Sequence, residues 1–151
     1  MDNGMLAYRA SRRGMLGITL LELMTVVLVV GVLSVIALPS YRQYMMRAQR
    51  GDAKSALLQL ATNQERFYLT NRTYGSVAQL IAANLLGAGA LSERGAYRIT
   101  IPIADATTYT AVATPVAGGA FDMTGDGQCL TFSMTAQGVR TATGSTPLNC
   151  W

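Results

Sequence analysis

Residues Ile18–Leu38 read ITLLELMTVVLVVGVLSVIAL and are almost continuously apolar. As a helix at about 1.5 Å per residue they reach about 31 Å, enough to cross a hydrocarbon core of about 30 Å. No small-residue cleavage site clearly follows them, as one would follow a secretory signal, and the chain runs on into helix-compatible sequence. Arg9, Arg12 and Arg13 stand before the run and favour a cytoplasmic N-terminus; Arg42, Arg47 and Arg50 stand after it and weaken that asymmetry. One residue breaks the pattern. Glu22 is a carboxylate inside an apolar span, where it costs about 2.5–3.5 kcal/mol on insertion scales. It either reaches the headgroups from near the helix end or meets a cationic partner.

The rest of the composition narrows the function. The chain has 151 residues, 50% hydrophobic and 13% charged, room for one modest core beyond the apolar run. The net charge of +4 is partly carried by the arginines ahead of the span, and no basic patch is left that would suggest nucleic-acid binding. There is no histidine, which removes the commonest general base and the commonest zinc ligand. Thr, Ser and Asp are plentiful, but no nucleophile, base and orienting group stand at a recognisable spacing, so an enzyme is not expected. The two cysteines, Cys129 and Cys150, are too few for a four-ligand zinc site; in an exported head they are expected to form a disulfide. That bond would close a loop of about 22 residues, worth roughly 3 kcal/mol on the chain-entropy account.

Beyond Ser40 the pattern becomes amphipathic. Ala53, Leu57, Leu60, Ala61, Gln64 and Tyr68 fall near one helical face, while Arg47, Arg50, Lys54, Gln59 and Arg66 lie largely elsewhere. The simplest reading is one helix from Ile18 to about Thr70, with Phe67 and Tyr68 as core aromatics. Asn71 and Gly75 mark its end. Val77–Leu86 reads as a short helix, and Gly87, Gly89 and Gly95 as a connection. Alternation then predicts strands at Tyr97–Ile103, Thr108–Thr114, Leu130–Met134 and Val139–Thr141, with Pro102 pointing to an edge position or a strand end. Antiparallel strands packed on a helix make an α+β head. Asp122, Thr124, Asp126 and Gly127 resemble the first half of a calcium loop, but Ser133 stands where the bidentate glutamate belongs, so a solvated Asp/Gly turn is expected and no metal site.

The string Gly17-Ile18-Thr19-Leu20-Leu21-Glu22-Leu23-Met24 resembles the class III signal of type IV prepilins. The resemblance implies that a membrane peptidase cuts between Gly17 and Ile18 and methylates the new amine. Cutting ahead of the apolar run leaves the run in the mature chain. It also implies a partner for Glu22, the free N-terminal amine of a neighbouring subunit, with Thr19 part of the same assembly segment. Gly31 and Pro39 would mark a stretch that bends or loses helical structure in the fibre. This chain departs from the family in having Ile18 where Phe or Met is usual, and in a leader of residues 1–17 that is longer than typical; Met5 or Met15 is an alternative start. The tail from Gln128 to Trp151 resembles that of PilE-type minor pilins.

The resemblance therefore implies a type IV pilin fold. Residues 1–17 would be a cleaved leader, 18–39 the membrane and assembly half of a long helix, 40–70 its amphipathic half, and 71–151 a head with a disulfide-closed C-terminal region. The implied function is that of a structural pilus subunit, a minor pilin, serving adhesion, twitching motility or DNA uptake and using no cofactor. Its implied partners are other pilin subunits, the prepilin peptidase, the inner-membrane assembly platform and, before assembly, the membrane, with the head in the periplasm; direct nucleic-acid binding is not evident. A type II secretion pseudopilin and a major pilin share the N-terminal signal. The C-terminal cysteine pair argues against the commonest pseudopilins.

Overall fold

The computed structural model describes residues 17–118 and 122–151. The leader arginines Arg9, Arg12 and Arg13 and the alternative starts Met5 and Met15 lie outside the described residues. The chain divides into two units, residues 1–39 and 40–151. A 52-residue helix, α1 (Leu20–Asn71), contributes to both, followed by α2 (Val77–Ala82), β1 (Tyr97–Ala104), β2 (Tyr109–Pro115), β3 (Phe132–Thr135), β4 (Arg140–Ala142) and a 3-10 turn at Pro147–Asn149.

In the first unit α1 begins where the Thr19 hydroxyl accepts a hydrogen bond from the Glu22 N–H at 3.2 Å, the N-cap arrangement that satisfies an otherwise unpaired helix donor. Two internal hydroxyls turn back on the helix: Thr25 donates to the Leu21 and Glu22 carbonyls, and Ser34 to that of Val30. Their polarity is spent on the backbone, which suits an apolar environment. The helix continues through both Gly31 and Pro39.

The second unit has an orthodox core. Its half of α1 buries Ala53, Leu57, Leu60, Gln64 and Phe67, spaced by four and three residues along one stripe. Tyr68 is half-buried and meets the Tyr74 ring at 4.8 Å. The core also takes Leu80 from α2 and the inward residues of a four-stranded antiparallel sheet in the order β1-β2-β3-β4: Tyr97 and Ile99, Tyr109, Ala111 and Ala113, and Phe132 and Met134. β1 is an edge strand, and its pairing with β2 slips between Thr100 and Ile103, around Pro102, which has no N–H to give to a ladder.

One boundary agrees with expectation and one differs. α1 ends at Asn71, as expected, with Arg72 in the left-handed region at φ 57° and its N–H donating to the Tyr68 carbonyl. Gly75 instead allows close approach: an added Cβ would lie 3.1 Å from the Phe67 ring and 3.2 Å from Leu80. Its backbone is clasped by the buried Gln64 amide, which donates to the Gly75 carbonyl at 2.7 Å and accepts from its N–H at 2.8 Å. The short helix stops at Ala82 rather than Leu86, because Asn84 turns left-handed (φ 56°) and the Leu85 and Leu86 N–H groups fold back to the Leu80 carbonyl.

Candidate functional site

Two places carry the residues singled out from sequence. In the N-terminal segment, the large apolar side chains from Ile18 to Leu38 are 52–76% exposed. A span this apolar and this open is stable only with another apolar medium around it, whether lipid or other helices. Glu22 is exposed on this surface, and its carboxylate has no hydrogen-bond or ion-pair partner among the described residues. Thr19 and Glu22 stand three apart, as in a capping box, but only the hydroxyl half of the box forms. Among the described residues nothing occupies the carboxylate, which leaves it available to a cation. Gly31 has open space where a Cβ would be, so no contact among the described residues requires a glycine there. Gly17 and Ile18 precede the helix in non-helical conformation, and Ile18 is 75% exposed.

The second place is the C-terminal closed loop. Cys129 and Cys150 form a disulfide with Cα atoms 5.7 Å apart, and both residues are buried. Trp151 follows directly; its ring packs edge-on against Phe132, its indole N–H donates to the Thr141 carbonyl at 2.7 Å, and the Arg140 guanidinium lies over it. Gly144 is a forced glycine: at φ 135° an added Cβ would collide with the Gln128 carbonyl oxygen, so the two chain segments of the loop could not run side by side.

The Asp/Gly turn is not solvated throughout, contrary to expectation. Asp122 is exposed and accepts from the Thr124 N–H and hydroxyl, an ordinary side-chain turn that holds its carboxyl below the usual range. Asp126, only 2% exposed, accepts two bonds from Arg50 of α1 at 2.6 and 2.7 Å, and further bonds from the Gln128 and Cys129 N–H groups. Arg50 also donates to the Gln128 side chain. Burial opposes ionisation of Asp126, but Arg50 and the two N–H groups outweigh it, so its pKa falls below the ordinary carboxylate value. The same pairing raises that of Arg50 against a smaller burial effect. Nearby, burial and then the Asp126 charge push the Tyr97 hydroxyl up to about 12. This forked ion pair fastens α1 to the loop that leads into the disulfide. Its partners are separated by 76 residues, so no local pattern in the sequence announces it.

The family profile and the curated relatives point one way. The profile of the family described as "Type IV minor pilin ComP, DNA uptake sequence receptor" matches residues 39–140. The major pilin PilA of Myxococcus xanthus is 33% identical over 103 residues, covering 66% of this chain and 44% of that protein. The major pilin PilE1 of Neisseria gonorrhoeae is 38% identical over 66 residues, 39% of this chain and 40% of that one. The chain thus spans less than half the length of these curated relatives. Among solved structures, the non-core minor pilin PilV of Neisseria meningitidis is 20% identical with a TM-score of 0.49, over 68% of this chain and 90% of that one. A type IV pilin from Shewanella oneidensis is 25% identical with a TM-score of 0.45, over 70% and 97%.

Proposed function

The chain belongs to the type IV minor pilin ComP family, and from that premise we propose that it acts as a minor structural subunit of a type IV pilus, processed at Gly17–Ile18 and assembled through the Ile18–Leu38 helix. The observation that carries the reading is the exposed apolar span with one available carboxylate at Glu22. Before assembly the span sits in the inner membrane and the head, residues 40–151, lies in the periplasm; in the fibre neighbouring helices replace lipid. The prepilin peptidase exposes and methylates the Ile18 amine. That amine is a cation in an apolar fibre core, and Glu22 of a neighbouring subunit neutralises it. Either charge alone would be costly there, so the pair favours the correct axial register. The Thr19 hydroxyl caps the first turn by accepting from the Glu22 N–H. Gly31 and Pro39 mark the stretch that bends or unwinds during packing. The inner-membrane platform delivers the subunit.

Of adhesion, twitching motility and DNA uptake, the family description favours DNA uptake. In that role the exposed Arg94, Arg98 and Arg140 of the head would supply phosphate contacts, although the sequence showed no patch. A major-subunit role is the second reading, because PilA and PilE1 are major pilins; the copy number of this chain in sheared fibres decides between the two. The test of assembly is Glu22→Ala. The variant should insert into membranes normally and be depleted from sheared pili; normal incorporation would refute the pairing.

A further inference from the structure

The head contains a second feature that the assembly reading does not use. A cavity of about 470 Å³ lies between the first helical turns of the head and the loop that leads into the disulfide, lined by Gln43, Arg47 and Arg50 on one side and by Asp126, Gln128 and Ser145 on the other. Its walls are held together. Arg50 is forked onto Asp126, and the Ser145 N–H donates to the Gly127 carbonyl at 2.9 Å. Its donors are open to solvent, since Gln43, Arg47, Gln128 and Ser145 are all exposed. Among the described residues the Arg47 side chain has no ion-pair partner, and Gln128 uses only its amide oxygen, on Arg50. The acid of the lining is fully occupied. Asp126 accepts two bonds from Arg50 and one each from the Gln128 and Cys129 N–H groups, about the four that a carboxylate can take. Its charge balances that of Arg50, while Arg47, three residues earlier on the same helix, gains only a like-charged neighbour. The cavity therefore offers accessible donors, one uncompensated positive charge and no acceptor capacity on its carboxylate.

We propose that this cavity binds the phosphate of an anionic phospholipid headgroup, with Arg47 as the counter-charge. A guanidinium fork matches two phosphate oxygens. Gln128 Nε2 and the Ser145 hydroxyl would donate to the others, and Gln43 would meet a hydroxyl of the headgroup. A zwitterionic headgroup also brings an ammonium. That group needs acceptors, which Asp126 cannot supply, and Arg47 would repel it. The chemistry thus selects a phosphatidylglycerol-like headgroup over phosphatidylethanolamine or phosphatidylcholine. The membrane brings this ligand within reach. Gln43 follows Leu38 by only five residues, at most roughly 18 Å of extended chain. Side chains on a helix lean toward its N-terminus, which on α1 is the direction of the span. Basic residues close to a span are also the usual contacts of anionic lipid. Such a site would hold the head at the bilayer surface until the subunit is withdrawn into the fibre.

The inference rests on the membrane-spanning reading of Ile18–Leu38, and its test separates the two. The full chain, purified in detergent, is mixed with equal amounts of phosphatidylglycerol, phosphatidylethanolamine and phosphatidylcholine, and retained lipid is read by native mass spectrometry. The same chain in vesicles is checked for protease protection of the span. The expected result is one phosphatidylglycerol per chain, preferred by about tenfold, the effect of one charge-assisted hydrogen bond. Arg47→Gln should remove that preference and Ser145→Ala should reduce it, while Arg66→Gln, further along α1, keeps it. The melting temperature of Arg47→Gln should match that of the parent chain, since no ion pair is lost. A protected span with no preference among the lipids overturns this inference alone; an unprotected span overturns both. Equal losses in Arg47→Gln and Arg66→Gln would mean a general attraction of positive charge to lipid and no site. Displacement of the lipid by inorganic phosphate, or by duplex DNA at equal phosphate concentration, would assign the cavity to a free anion or to nucleic acid and would equally overturn it.

Discussion

The two halves of α1 are chemically opposed. From Leu20 to Leu38 the large apolar side chains are exposed, and Glu22 has no partner among the described residues. From Ser40 to Asn71 one stripe is buried, and the polar groups along it find partners within the chain: Gln64 on Gly75, Arg50 on Asp126, Asn63 on the Leu85 carbonyl. The same secondary structure thus serves two purposes. One half is built to be completed by something else; the other completes a domain. The Gln49 amide and one carboxylate oxygen of Asp52 are the exceptions among the described residues of the second half. The contrast teaches that satisfaction of polar groups, more than helicity, separates an assembly surface from a structural one.

Substitutions in each half should report different things. The largest effect is expected from Glu22→Ala: incorporation into sheared pili should fall by at least about tenfold, because an unpaired amine is left in the fibre core, while the melting temperature of the head stays the same. A loss of head stability would erase the distinction between the halves. Cys129→Ser should leave membrane insertion untouched and cost the head about 3 kcal/mol, read as a lower melting temperature under oxidising conditions. Asp126→Asn should cost about 2 kcal/mol by weakening the bonds from Arg50.

Acid probes the same pair. The folded pKa of Asp126 is lowered, so its contribution to stability is present above the unfolded value of about 3.9 and is lost as pH falls through the folded value. The melting temperature should therefore drop on acidification, and drop less in Asp126→Asn; parallel curves would show that the pair does not link α1 to the loop. The smallest effect is expected at Gly31→Ala. Nothing among the described residues occupies the space, so the helix should gain about 1 kcal/mol, while fibre incorporation falls if neighbouring helices use the gap.

Much of this was legible in the sequence because its physics is local. The length and polarity of Ile18–Leu38 announce a span, and Glu22 is conspicuous because a charge there is costly. Alternation marked the strands to within about two residues, and Pro102 marked the edge. What escaped was non-local. Asp126 looked like any turn aspartate, because the arginine that buries it belongs to α1. Gly75 and Gly144 could be read as punctuation, yet each is a close approach of two distant segments. Nor could the unpaired state of Gln49 be read from a helical stripe. The apolar span was readable from its length and polarity, whereas the lock on the disulfide loop became visible only when the chain was folded.

The central claim is that residues ahead of Ile18 are removed so that the span becomes the N-terminus of the mature subunit. Intact mass and N-terminal sequencing of the protein from membranes of cells with and without prepilin peptidase test this directly. The account predicts a methylated chain starting at Ile18, seen only when the peptidase is active. A mature chain that keeps residues 1–17, or one cut after Leu38, would contradict it.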